Sequence, residues 1–133
     1  MPQDQYPSDP ELRHAGLEKM TEVYGWEMGD GTGDFFGMTV EHLFGQVWDR
    51  ESTLTFRERR LLLIGLMVGD NLPDVLGLQL EATLTQGELT PDELREIALF
   101  LCHYAGWPRG ARMNSQVEEI IARVEKKQAA ADG

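Results

Sequence analysis

The sequence predicts an all-α protein, six helices joined by short turns and packed as an antiparallel bundle. Three observations carry this. Apolar residues recur at helical spacing through most of the chain, capping sequences mark the boundaries between those stretches, and no segment alternates apolar and polar residues over strand length between turn signals. With 133 residues, 41% hydrophobic and 26% charged, the chain has room for one domain with a real core. That domain is expected over residues 9–127, with residues 1–8 as a loose arm carrying Pro2 and Pro7 and residues 128–133 as a fraying tail.

The first helix opens at Asp9-Pro10-Glu11, which supplies an N-cap, a proline at the first helical position and an early acid. It runs to about Tyr24 and stops at Gly25. The stretch from Gly29 to Asp34 is too rich in glycine for a helix interior; with two acids inside it and no lysine after it, it does not read as a phosphate loop. From Phe35 to Trp48, Phe36, Val40, Leu43, Phe44, Val47 and Trp48 form an apolar stripe, which leaves Glu41 and Asp49 free for other roles.

Thr55-Phe-Arg-Glu58 is a capping box that feeds into Leu61 to Val68, a helix apolar nearly all round and therefore central. A fourth helix starts at Asn71-Leu-Pro73, continues to Gln86 and ends at Gly87. Thr90-Pro-Asp-Glu93 is a second capping box and opens a fifth, to about Tyr104. Gly106-Trp-Pro108 breaks it, and a last amphipathic helix carries Val117, Ile120, Ile121 and Val124. Short connections such as Gly87 to Thr90 imply antiparallel neighbours. So apolar a central helix in so small a domain implies that some of its surface meets another copy, and a homo-oligomer is expected.

The formal net charge of −11, with Lys and Arg alternating with acids, repels phosphate backbones and anionic lipid, so neither nucleic acid nor a membrane is expected as a partner. The most apolar stretch, Leu61 to Val68, is too short to cross a bilayer. One cysteine, Cys102, allows no intrachain disulfide and no cysteine-rich zinc cage; with no signal-like N-terminus, it points to the reducing cytoplasm. No histidine pair has ligand spacing, so no metal and no cofactor are expected. Cys102 reads as a small buried hydrophobe, His14 carries no signal, and His42 reads as a surface or interface residue. His103 lies among apolar neighbours, where its ring either bonds a backbone carbonyl or serves acid–base chemistry. Trp48, Tyr104 and Trp107 either line a pocket or pack a core.

Taken in order, Phe44-Gly-Gln-Val-Trp48, Leu54-Thr-Phe-Arg-Glu-Arg59, Leu78-Gln-Leu-Glu-Ala82 ending at Gly87, Thr90-Pro-Asp-Glu-Leu-Arg95 and Tyr104-Ala-Gly-Trp-Pro108 resemble the carboxymuconolactone decarboxylase family over about residues 11–125. The last corner is the most specific piece. The resemblance implies the alkylhydroperoxidase D-like helical bundle, assembly as a trimer or hexamer with sites near subunit interfaces, and a place in aromatic compound catabolism. Its peroxidase branch carries Glu, Cys-x-x-Cys and His, so that a thiolate has a base and a resolving thiol beside it. Here Arg60, Leu72, Val75 and Gln79 occupy those positions, which disfavours thiol peroxidase activity.

The decarboxylase branch also lacks the cysteines, and usually has histidine where Gln79 stands. Losing carbon dioxide from a carboxylated lactone requires a cation for the carboxylate, donors at the developing enolate oxygen and an acid to return a proton. The resemblance then implies Arg59 as the carboxylate clamp and places Gln79 where it can act as the donor; the residues themselves add His103 or a water to handle the proton and Trp48, Tyr104 and Trp107 as candidates to line the substrate site. Arg59 could equally pair with one of the acids, and Gln79 could be a buried amide bonding a helix end. Glu81, half-way round its helix from Gln79, reads as a solvated surface acid. The alternative function is a non-catalytic helical oligomer that binds a small acid or a protein partner.

Overall fold

The computed structural model describes residues 4–133, and among them there are helices and no strand. The helices are α1 (Pro10–Tyr24), α2 (Asp34–Met38) running straight into a π-helix (Thr39–Val47), α3 (Phe56–Gly69), α4 (Pro73–Gln86), α5 (Pro91–Ala105) and α6 (Trp107–Asp132). By their contacts they form two compact units, one ending at Phe56 and the other starting at Arg57. None of the described helices is long and apolar enough to cross a membrane.

The first unit is built on α1 against the π-helix. Asp9 caps α1 as its sequence predicts, accepting from the backbone N–H groups of Glu11 and Leu12, and Gly25 closes the other end in the left-handed region at φ 86°. The single helix expected from Phe35 to Trp48 is instead a short α-helix followed by a π-helix, closed by a Trp48 N–H bond of 2.9 Å to the Leu43 carbonyl. Its buried residues, Val40, Glu41, Phe44, Gly45 and then Trp48, recur every fourth position, a repeat that falls between the α and π periods. Gly16 lets α1 approach so closely that a methyl group there would lie 2.7 Å from the Val40 carbonyl carbon.

Glu41 is not free for other roles, as the stripe suggested, but wholly buried. Its carboxylate accepts from Ser8 Oγ at 2.8 Å and the Asp9 N–H at 2.7 Å, and it pairs with Arg13 Nε at 3.0 Å. A buried carboxylate persists only when paired in this way. Asp34 likewise accepts from the N–H groups of Gln5 and Tyr6, so the expected loose arm is tethered from residue 4 onward.

The second unit packs Ile64 and Val68 of α3, Leu76 and Leu80 of α4, Leu94 and Ala98 of α5, and Met113, Val117, Ile120, Ile121 and Val124 of α6 into one core. The capping box predicted at Thr90 is present in both halves: Thr90 accepts from the Glu93 N–H at 3.1 Å, and Glu93 accepts from the Thr90 N–H at 3.0 Å. Cys102 is buried as expected, packed so closely on Gly110 of α6 that a methyl group there would lie 2.9 Å from the cysteine Cβ. The tail residues 128–132 continue α6 as exposed helix.

Candidate functional site

The helical phase of α3 decides which of its two adjacent arginines faces inward. Arg60, Ile64 and Val68 follow one another at four-residue steps and are the buried residues of this helix, so the guanidinium of Arg60 is carried into the core with them. Arg59, one position back, is only partly buried. Arg60 has no exposed surface at all, and a guanidinium in that environment must be matched by acceptors. Glu88 supplies two: Arg60 Nε donates to Oε1 at 2.8 Å and Nη2 to Oε2 at 3.2 Å, a two-pronged fork. Arg60 Nη1 donates to Oε1 of Gln79, which is itself 4% exposed.

Gln79 and Thr83 sit one turn apart on the buried face of α4. The Thr83 hydroxyl is buried and has no hydrogen-bond partner among the described residues. Its backbone carbonyl accepts from the Glu88 N–H at 3.1 Å, which ties the chain just beyond α4 back onto that helix. The result is a polar cluster of Arg60, Gln79, Thr83 and Glu88 beside an otherwise apolar core. Chemically it offers an oriented amide and a buried hydroxyl, with a cation already offset by a carboxylate. Among the described residues no group of three histidine, cysteine or acidic side chains could hold a metal ion.

The contacts seen for the other expected site residues are with residues outside this cluster. His103 is exposed on α5, its Nδ1 2.9 Å from the Leu99 carbonyl, the backbone-bonded arrangement that was one of its two readings. The Trp107 ring meets it edge-on at 5.6 Å, and Tyr104, 80% exposed, packs on Phe100 at 5.2 Å. Trp48 belongs to the core of the first unit, stacked on Phe44 at 6.1 Å and tilted against Phe56 at 5.2 Å. Glu81 faces α6, where Arg123 at 3.1 Å and Lys127 at 3.3 Å bind it. Partial burial would raise its pKa, yet the hydrogen bonds from Arg123 and Lys127 prevail and hold it below the ordinary carboxylate value.

The sequence reading passed over Glu88 and took Arg60 only as the residue standing where a glutamate would. The four-residue phase of Arg60, Ile64 and Val68 was the signal for the arginine. For Glu88 the signal was its place directly after the helix-ending Gly87, where the chain turns back toward α4.

No family model matches the chain, and no solved structure matches it. The chain is 30% identical to the 4-carboxymuconolactone decarboxylase of Acinetobacter baylyi over 122 residues, which span 86% of this chain and 90% of that protein.

Proposed function

Because the chain belongs to the carboxymuconolactone decarboxylase family, we propose that it is a lyase, without a cofactor, that removes carbon dioxide from a small carboxylated lactone or a related carbonyl acid. The observation that carries this reading is the similarity to a protein of that name along nearly the whole of both chains. In the reaction the bond between the substrate's carboxylate carbon and its neighbour breaks, carbon dioxide leaves, and the electron pair is taken up as an enolate. A proton then restores the neutral product. Arg59 holds the carboxylate, the Gln79 amide donates to the enolate oxygen, and His103 or a water delivers the proton. Tyr104 and Trp107, both largely exposed, contribute aromatic surface to the substrate.

The fixed direction of the Gln79 amide supports this assignment. Its oxygen is taken by Arg60, which leaves the nitrogen as the donor end. Turnover of 4-carboxymuconolactone, followed by carbon dioxide release, tests the reading. Product formation by the wild type, and a kcat lowered but still measurable in Arg59→Ala and Gln79→Ala, are expected; no product at high enzyme concentration sinks it.

The burial of Gln79 and Arg60 favours a second reading, a non-catalytic helical oligomer that binds a small acid or a protein partner. Failure of turnover together with a thermal shift by small carboxylic acids would select it. In either case we place the protein in the cytoplasm and take it to assemble with copies of itself. Leu62, Leu66 and Phe100 support the assembly, each more than half exposed on the second unit, and Phe100 also lines an open, mostly apolar groove of about 330 Å³ between α3 and α5.

A further inference from the structure

A glutamine amide that can turn over presents a donor in one orientation and an acceptor in the other, and only the donor serves an enolate oxygen. At Gln79 the choice is made by its neighbour. Arginine has donors and no acceptor, so the amide oxygen must face Arg60 and the nitrogen must face away. Arg60 would itself be free to swing on its long stem, but Glu88 grips the other edge of the guanidinium at 2.8 and 3.2 Å. Glu88 in turn is held by the backbone. Gly87 takes the left-handed conformation at φ 75°, and the Glu88 N–H bonds the Thr83 carbonyl, so the residue leaves α4 in one direction. Side chains from two helices and the turn between α4 and α5 thus form a chain ending on a single amide.

We propose that Arg60 and Glu88 are positioning residues that hold the Gln79 amide with its nitrogen toward the substrate and polarise it, a role resting on the reading of Gln79 as the enolate donor. A cation bound to the amide oxygen draws electron density toward it and makes the N–H groups stronger donors. The site thereby gains a polarised donor that does not titrate. Glu88 keeps the buried charge matched, so that this donor can exist in the interior.

The test is a double-mutant cycle on the full chain, with 4-carboxymuconolactone as the probe substrate and far-UV circular dichroism to establish folding. Glu88→Gln, which preserves shape and removes the charged fork, is expected to lower kcat about tenfold while KM changes less than about twofold. In the Gln79→Ala background the same substitution is expected to cost nothing further, because its effect runs through the amide. An equal loss in both backgrounds would show a merely structural role and overturn the proposal. Arg60→Lys, which keeps the charge but not the fork, should behave like Glu88→Gln; should it fail to fold, Glu88→Gln still decides. A wild type that leaves the probe untouched refutes the functional reading and not the positioning. The side-chain amide resonances of Gln79 then settle the latter: they should be displaced from free-glutamine positions in the wild type and return toward them in Glu88→Gln. Unchanged resonances would sink the proposal.

Discussion

In the proposed site, the role given to Gln79 rests on what an amide can do that an imidazole cannot. Glutamine cannot exchange a proton near neutral pH, so its amide is a permanent donor where a histidine would titrate. Arg60 sharpens the difference. Its guanidinium touches the Gln79 side chain, and a positive charge there disfavours a second one. The substitution Gln79→His is therefore predicted to give an imidazole whose titration midpoint, read by proton NMR of the ring, falls below the ordinary value of about 6.5. A midpoint at or above that value would mean that Glu88, and not Arg60, dominates the field at this position. The same scale separates Arg59 from Arg60: adjacent residues of one type differ only in helical phase, and the four-residue phase shared with Ile64 and Val68 is what carries Arg60 inward.

At the scale of elements, helix ends were the most legible feature. Asp9, Gly25, Gly87 and the Thr90–Glu93 box stand where their local chemistry puts them, because capping depends on residues within one turn of each other. Glu93 also shows how such a cap responds to pH. The Thr90 N–H holds its carboxyl below the ordinary value of 4.5, and Arg57 adds to the effect. A group whose pKa is depressed on folding contributes stability above its unfolded pKa and loses it as pH falls through the folded one. The gap in melting temperature between wild type and Glu93→Ala should therefore be widest near about pH 7 and narrow below about pH 4. A gap unchanged at acid pH would show that the carboxylate charge contributes nothing. The π-helix was the element that escaped prediction. An apolar repeat near four residues fits both helix types over so short a stretch, and it is packing against α1 that accompanies the wider one.

For the whole molecule, the acidic balance and the exposed apolar side chains of the second unit make opposing demands on assembly. Copies carrying a net charge of −11 repel one another, while Leu62, Leu66 and Phe100 favour burial. Sedimentation velocity is predicted to show an oligomer, strengthened by added salt because screening removes the repulsion and leaves the apolar contact. Leu66→Glu and Phe100→Glu should shift the protein toward a monomer. A wild type that sediments as a monomer at every salt concentration would contradict the proposed assembly.

The sequence by itself determined the helical class, the order of the helices, most of their ends, and the frame shared with a decarboxylase family, because these rest on periodicity, capping and motif order along the chain. Tertiary structure alone decided which polar side chains meet. Arg60 and Gln79 are 19 residues apart and Arg60 and Glu88 are 28 apart, and Glu41 finds Ser8 across 33. No local rule encodes such pairings. They follow from burial, which leaves a charged or amide group in the interior only where another element brings it a partner.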